Sequence, residues 1–310
     1  MKTIAQTIML IALTTVYLTS AASTDESRTT AASVDPAGVK YQLQTQFGDL
    51  DEIATRGILR VLVTHSKTDF FIDHGRIRGV QAEYVQEFLK KLNQSRTNRF
   101  HASESNRIIP QFVPVAFDDL IPSLLAGKGD IAAAFLTRTP EREADVDFIS
   151  PQGRFVDEIL VAHKDAEPIK KLADLSGRTV YLLKGSSYAS HLLELNEQLE
   201  IAELPPVNMI NTDTQLLTED ILELVNAGIV DYTVCDDFKA HFWAKALPDI
   251  RVYPDIRVSS GQSVGWVIRP NSPQLKAALD TFSKNVKKVP FSAIFCSINI
   301  MLRLSGSIIH

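Results

Sequence analysis

The chain has 310 residues, 45% apolar and 22% charged, with a formal net charge of −5. That length can bury one large core or two modest ones, and the mildly acidic balance argues against a nucleic-acid-binding face. Histidines are scattered and only two cysteines occur, Cys235 and Cys296, so neither a metal site nor a disulfide framework nor a cofactor is expected.

The N-terminus, "MKTIAQTIMLIALTTVYLTSAAS", pairs one lysine with an apolar run and a small-residue segment. This is the pattern of a signal peptide over 1–22, with export to the periplasm or beyond. A retained membrane anchor is the alternative, and the threonines and glutamine weaken it. Residues 23–54 begin Ser/Thr/Ala-rich and are expected to form a flexible leader.

From Thr55 onward, strand and helix patterns alternate. "ILRVLVTH" (58–65) is a short apolar run of the kind found in buried strands. "VQAEYVQEFLKKLNQ" (80–94) places Val80, Tyr84, Val85, Phe88, Leu89 and Leu92 on one helical face. A polar insertion (94–107) follows, and its Glu104-Ser105 pair lacks the buried helix a glycan-cleaving acid would need. Next come the strand "IIPQFVPV" and "FDDLIPSLLAGKGDIAAAFL". The latter reads as a helix capped by Asp118 or Asp119, ended by Gly127 and followed by a strand.

"TRTPER" then offers a threonine cap with proline at the first helical position. "FVDEILVAHK" is a strand. "KKLADLSGRTVYLLKGSSYASHLLELNEQL" is a short helix, a strand, a Gly-Ser-Ser turn and a helix. "EDILELVNAGIVDYTVCDD" repeats the helix–glycine–strand pattern, and "VGWVIRPNSPQLKAALDTFSKNVKK" closes with a strand and a helix. The alternation indicates an α/β protein with largely parallel sheets.

Three strand ends carry polar groups: Thr137 with Arg142, Ser186 with Ser187, and Asp236. Ligands of open α/β sheets bind beyond the carboxyl ends of strands. Each group also has a plain structural use, the serines as helix caps and Asp236 as a turn residue.

In their order, these elements resemble the family 3 extracellular solute-binding proteins. "FDDLIPSLLAGKGDIAAAFLTRTPEREADVDFISP" is similar to that family's helix–strand–T-x-T-x-E-R signature. "LADLSGRTVYLLKGSSY" and "GIVDYTVCDD" resemble two further family elements. The likeness runs from about Thr55 to Lys288. A closer likeness, in "RGILRVLVTHS", "DIAAAFLTRTPER" and "VDYTV", is to the receptor-like module of membrane-bound lytic murein transglycosylase F.

The resemblance implies a two-lobed periplasmic binding protein-like (type II) fold with a hinged cleft between the lobes. Lobe 1 would comprise 55–154 and 258–288, lobe 2 would comprise 155–257, and 289–310 would form an atypical tail. It implies no enzyme activity in this chain and a small zwitterionic ligand, an amino acid or peptide. The implied partner is an ABC permease or cell-wall enzymes. A lytic transglycosylase keeping only its regulatory module is the alternative, since 289–310 is too short for a second catalytic domain.

By position, Arg142 would hold the ligand carboxylate, with Thr137, Ser186 and Ser187 adding donors. Asp236 would take the ammonium, and Phe117 with Phe71 (or Phe70) would wall the site. Phe135 stands where the resembling receptors keep a small residue. Alternation puts it on the face of Ala133 and Thr137, either restricting the ligand or packing in the lobe's own core. Arg138 either points outward or adds a second cation.

Overall fold

The computed structural model describes residues 45–100, 107–151 and 155–285. The expected signal peptide, the Glu104-Ser105 pair, Cys296 and the tail 289–310 lie outside them. Among the described residues, eight α-helices and eleven strands follow in chain order: α1 (Leu50–Arg56), β1 (Ile58–Val63), β2 (Phe71–Asp73), β3 (Arg76–Arg78), α2 (Val80–Phe100), β4 (Ile109–Pro114), α3 (Leu120–Leu125), β5 (Ile131–Thr137), α4 (Pro140–Glu143) and β6 (Asp147–Ile149). The chain continues through β7 (Phe155–His163), β8 (Thr179–Leu182), α5 (Tyr188–Ile201), β9 (Asn208–Asn211), α6 (Thr218–Asn226), β10 (Tyr232–Asp236), α7 (Asp237–Trp243), β11 (Ile250–Ile268) and α8 (Pro273–Asn285).

The strands join in the order β4-β1-β5-β11-β7-β10-β8-β9, with β6 also on β11. The flanks are parallel: β1 with β4 and β5, and β8 with β9 and β10. The centre is antiparallel, because β7 leaves the first half of the sheet and β11 returns beside it. Largely parallel pairing therefore holds only at the flanks. Along β11, Ile250–Ser263 pair with β7 and Val264–Ile268 pair with β5 and β6, so one strand serves both halves.

Each half is covered on both faces, which is why its strands read as unbroken apolar runs. Leu59, Val61 and Val63 of β1 face α1, α2 and α8, while Leu62 faces α3. In the second half, Val180 and Leu182 pack with α5, and Ile159 and Val161 pack with α6 and α7.

Three expectations change. The leader expected over 23–54 gives way to structure at its end, where Asp49 caps α1 in a capping box with Glu52 and Ile53 enters the core. Asp49 also accepts from the amides of Gln274 and Leu275 at the start of α8. α2 runs on to Phe100, into the first part of the insertion expected over 94–107, because no proline or glycine interrupts 80–100. Neither Asp118 nor Asp119 caps α3 with its side chain; Ala116 precedes the short turn that leads into it.

Arg60 is the one charged residue in β1, and it is buried with Asp130. Asp130 accepts from the Arg60 amide at 2.8 Å and from Arg60 Nη2 at 2.8 Å, and it also pairs with Arg56 and Arg269. Removing one partner of a buried ion pair strands the other charges. Asp130→Ala is therefore expected to destabilise the protein by about 3–5 kcal/mol, read from urea unfolding at pH 7. A loss no larger than that of an exposed pair would contradict this assignment.

Candidate functional site

Thr137 ends β5, and Thr139 begins α4 by accepting at Oγ1 from the Arg142 amide at 3.4 Å, with Pro140 as the first helical residue. This single turn folds the half-buried Arg142 back over the strand end. Its Nη1 donates to the Thr137 carbonyl at 2.6 Å and its Nη2 to the Gly185 carbonyl at 2.8 Å. Arg142 thus links the first half of the molecule to the second. The exposed neighbour Arg138 pairs instead with Glu143 and points outward. Gly185 has φ +77°, and a Cβ there would lie 2.7 Å from Asp118 Cβ, so glycine permits the close approach. Lys184 and Asp118 pair beside it at 3.0 Å.

The two serines have different uses. Ser186 is tied to its own turn, its hydroxyl donating to the Leu183 carbonyl at 2.6 Å. Ser187 sits at the start of α5 without a side-chain capping bond, and its hydroxyl donates to Glu158 Oε1 at 2.6 Å. The simple capping use thus fails for Ser187, and its hydroxyl serves a buried carboxylate in this arrangement. Glu158, on β7, is fully buried and meets His191 Nδ1 at 2.6 Å through its other oxygen. That hydrogen bond raises the imidazole pKa against the opposing effect of burial.

Asp236 ends β10 and is buried, with Oδ1 accepting from the Tyr188 hydroxyl at 3.1 Å. Burial pushes its carboxyl up from 3.8 to about 7, with Lys239 opposing and Glu158 reinforcing. A carboxyl held near neutral pH by burial, at a strand end, marks a candidate binding group.

The aromatic candidates separate. Phe70 packs at a tilt against Phe112 in the core of the first half, with ring centroids 5.1 Å apart. Phe71 is buried on β2 and belongs to none of the four apolar clusters among the described residues. Phe117 packs against clusters of both halves. Phe135 is half-buried with its ring 5.0 Å from that of Phe238 on α7, so it meets the second half rather than filling the core of the first. A partly open apolar pocket is lined by Phe135, Tyr84, Ile149, Trp266 and Phe282; neither Arg142 nor Asp236 lines it.

Several participants escaped sequence reasoning. The loop after β1 is fastened to α6 and α7: Lys67 pairs with Asp220 and Glu223, Ser66 meets Glu219, and Trp243 Nε1 donates to Thr68 Oγ1 at 3.3 Å. Lys239 donates to Asp69 at 3.3 Å. None of these residues was among the strand-end candidates, and Glu158 looks in sequence like one of a few polar residues in an apolar strand. Among the described residues, no helix is long and apolar enough to cross a membrane.

Residues 59–290 match the family model described as bacterial extracellular solute-binding proteins, family 3. Among curated relatives, membrane-bound lytic murein transglycosylase F of Desulfosudis oleivorans is 33% identical over 176 residues, covering 56% of this chain and 36% of the relative. The Ectopseudomonas mendocina protein of the same name is 25% identical over 239 residues, covering 75% and 44%. The chain thus spans less than half the length of these relatives.

Among solved structures, the arginine-bound form of truncated ArgBP from T. maritima superposes with a TM-score of 0.60 at 24% identity, covering 77% of this chain and 100% of that one. AbpA, an amino acid ABC transporter substrate-binding protein from Streptococcus pneumoniae bound to L-arginine, gives 0.60 at 18%, covering 82% and 98%. The fold is accordingly the mixed α/β, type II periplasmic binding protein fold.

Because Asp236 binds its proton more tightly when folded, its contribution to stability falls as pH rises from about 4 to about 7. Asp236→Asn keeps an acceptor for Tyr188 and removes the buried charge. Its melting temperature is expected to exceed that of the native chain at pH 8, by an amount worth on the order of a few kcal/mol, with little difference at pH 4. Equal melting curves for the two proteins at pH 8 would refute a strained carboxylate.

Proposed function

The chain belongs to the bacterial extracellular solute-binding proteins of family 3, and on that premise we propose that it clamps a small zwitterionic solute, an amino acid or short peptide, between its two lobes. The proposed lobes are 55–154 with 258–288, and 155–257. The observation that carries the reading is the placing of Arg142 and Asp236 at facing strand ends of the two halves, without direct contact between them. A guanidinium on one half reaches the other half at Gly185, in the field of a buried carboxyl that is costly to ionise without a cation. Guanidinium suits a ligand carboxylate because its fork matches both oxygens, and the ligand's ammonium would compensate Asp236.

Phe117, which touches both halves, and the buried Phe71 supply apolar walls in this proposal. Thr137 and the start of α5 at Ser186 and Ser187 flank the carboxylate end. A ligand held by both lobes favours the closed arrangement by its own binding energy. Neighbours of the same fold carry arginine or, in an ancestral arginine-binding protein, glutamine, which supports the amino-acid class.

The expected signal peptide would deliver the protein to the periplasm, where an ABC permease is the proposed recipient. A second reading is favoured by the likeness to the lytic transglycosylases: a regulatory module that senses cell-wall peptide. A thermal-shift screen of the full chain with the common amino acids and with muropeptides separates the two, since a ligand bound only by the folded state raises its melting temperature. No shift with either set would defeat both readings.

For the solute identified, Arg142→Ala is expected to weaken binding roughly 30-fold or more, the value of a charge-assisted pair of about 2 kcal/mol. Calorimetric titration checks this, and unchanged affinity would remove Arg142 from the clamp. If Asp236 receives the ammonium, binding must first ionise it below pH 7. Affinity should then rise with pH, approaching tenfold per unit below the Asp236 pKa and levelling off above it.

A further inference from the structure

We infer that the cleft contains a second subsite, built for an organic ammonium group, and that the side chain of Lys239 is its tethered occupant. The inference rests on the reading above only in taking the space between the lobes as a ligand cleft.

Lys239 lies on α7 and is buried. Its ammonium crosses to the first half, 3.3 Å from Asp69 Oδ2 and 5.8 Å from the centre of the Phe135 ring. An ammonium over an aromatic face beside a carboxylate, shielded from water, is the arrangement that recognises amine ligands. The receiving groups are fixed from behind. Gln81 Nε2 lies 3.4 Å from Asp69 Oδ1, and Trp266 Nε1 donates to Gln81 Oε1 at 2.7 Å. The Asp69 amide donates to Ser66 Oγ at 2.7 Å, and Ser66 Oγ lies 3.4 Å from Glu219 Oε1.

Glu219 is itself buried, and its Oε2 makes no hydrogen bond of ordinary geometry among the described residues. Asp69, Glu219 and Asp236 all act on Lys239, in that order, and hold its pKa above the usual value against burial. Burial in turn raises Glu219.

As a mere fastening this is a poor bargain. A buried ion pair stabilises a fold no better than packed apolar side chains of the same volume, and here carboxylates outnumber the cation. The excess acid and the aromatic face are explained by cation recognition. Lys239 fills that position from within the chain, so the subsite accepts an external ammonium only when Lys239 is gone or displaced.

The test removes the tether and returns the amine. Lys239→Ala deletes the equivalent of n-propylamine. At pH 7.5, n-propylammonium chloride is expected to raise the melting temperature of this variant by several degrees, saturably. It should leave the native chain unmoved, and n-propanol should do nothing. Adding Asp69→Asn should abolish the effect. If Lys239→Ala alone does not melt cooperatively, n-propylammonium in the refolding buffer should restore a cooperative transition.

Equal shifts in the native chain and the variant, no saturable shift in a folded variant, or no rescue of an unfolded one would each overturn the inference. A failed Arg142 clamp would show instead in the amino-acid titrations and leave the amine effect intact.

Discussion

The structure depends on one strand having to satisfy both halves of the main sheet. The backbone of β11 is hydrogen-bonded to β7 along most of its length and to β5 and β6 at its end, and the groups of the cleft line up on either side of that handover. Thr137 is paired with Val264, Glu158 with Ser259, and Asp236 with Glu158. The end of β5 that carries Thr137 and the acid-bearing β7 and β10 are thus held through a few residues of β11. The register slips between Tyr253 and Gln262 bend and twist the strand where the two halves meet.

Around that frame, the cleft is rich in buried charge. Arg142, Glu158, His191 and Asp236 form one group that spans the two halves, and Asp69, Glu219 and Lys239 form another. A protein selected only for stability would replace such groups with apolar ones. Their presence, with Asp236 held near neutrality and one Glu219 oxygen without a hydrogen-bond partner among the described residues, supports the proposal that the ligand binds at the seam between the halves. Conflict between local stability and what a site requires is the usual signature of a binding surface.

Much of the fold was legible. The capping threonine and proline at α4, the apolar runs of β1 and β5, and the glycine ending α3 all follow local rules, and all appear where those rules put them. The hairpin of β2 and β3 was overlooked. Its Asp73-His74-Gly75-Arg76 turn has positive φ at both central residues, a legible signal, but strands of three residues are too short to show periodicity.

The antiparallel centre was illegible for another reason, since strand direction follows from which strands meet and not from their composition. At the site, the strand-end groups were found because they sit in motifs. Glu158, Tyr188, Lys239 and Asp69 act only through partners far away in the chain; Lys239 and Asp69 are separated by 170 positions. Phe135 was noticed as oversized, and its neighbour Phe238 came from α7, beyond the reach of any local pattern.

The route of the chain also sets an order of assembly. The second half is drawn from one uninterrupted stretch, β7 to the greater part of β11, and can close as soon as that stretch exists. The first half cannot. Asp49 waits for Gln274, 225 positions later, and Asp130 waits for Arg269. Such distant closures cost chain entropy before any contact repays it, and they slow folding. During synthesis the opening elements, α1 and β1 among them, therefore remain incomplete until the last strand and α8 arrive. A chain interrupted before about Val264 would hold a nearly finished second half attached to a first half in which β5 is paired with β1 on one edge and bare on the other.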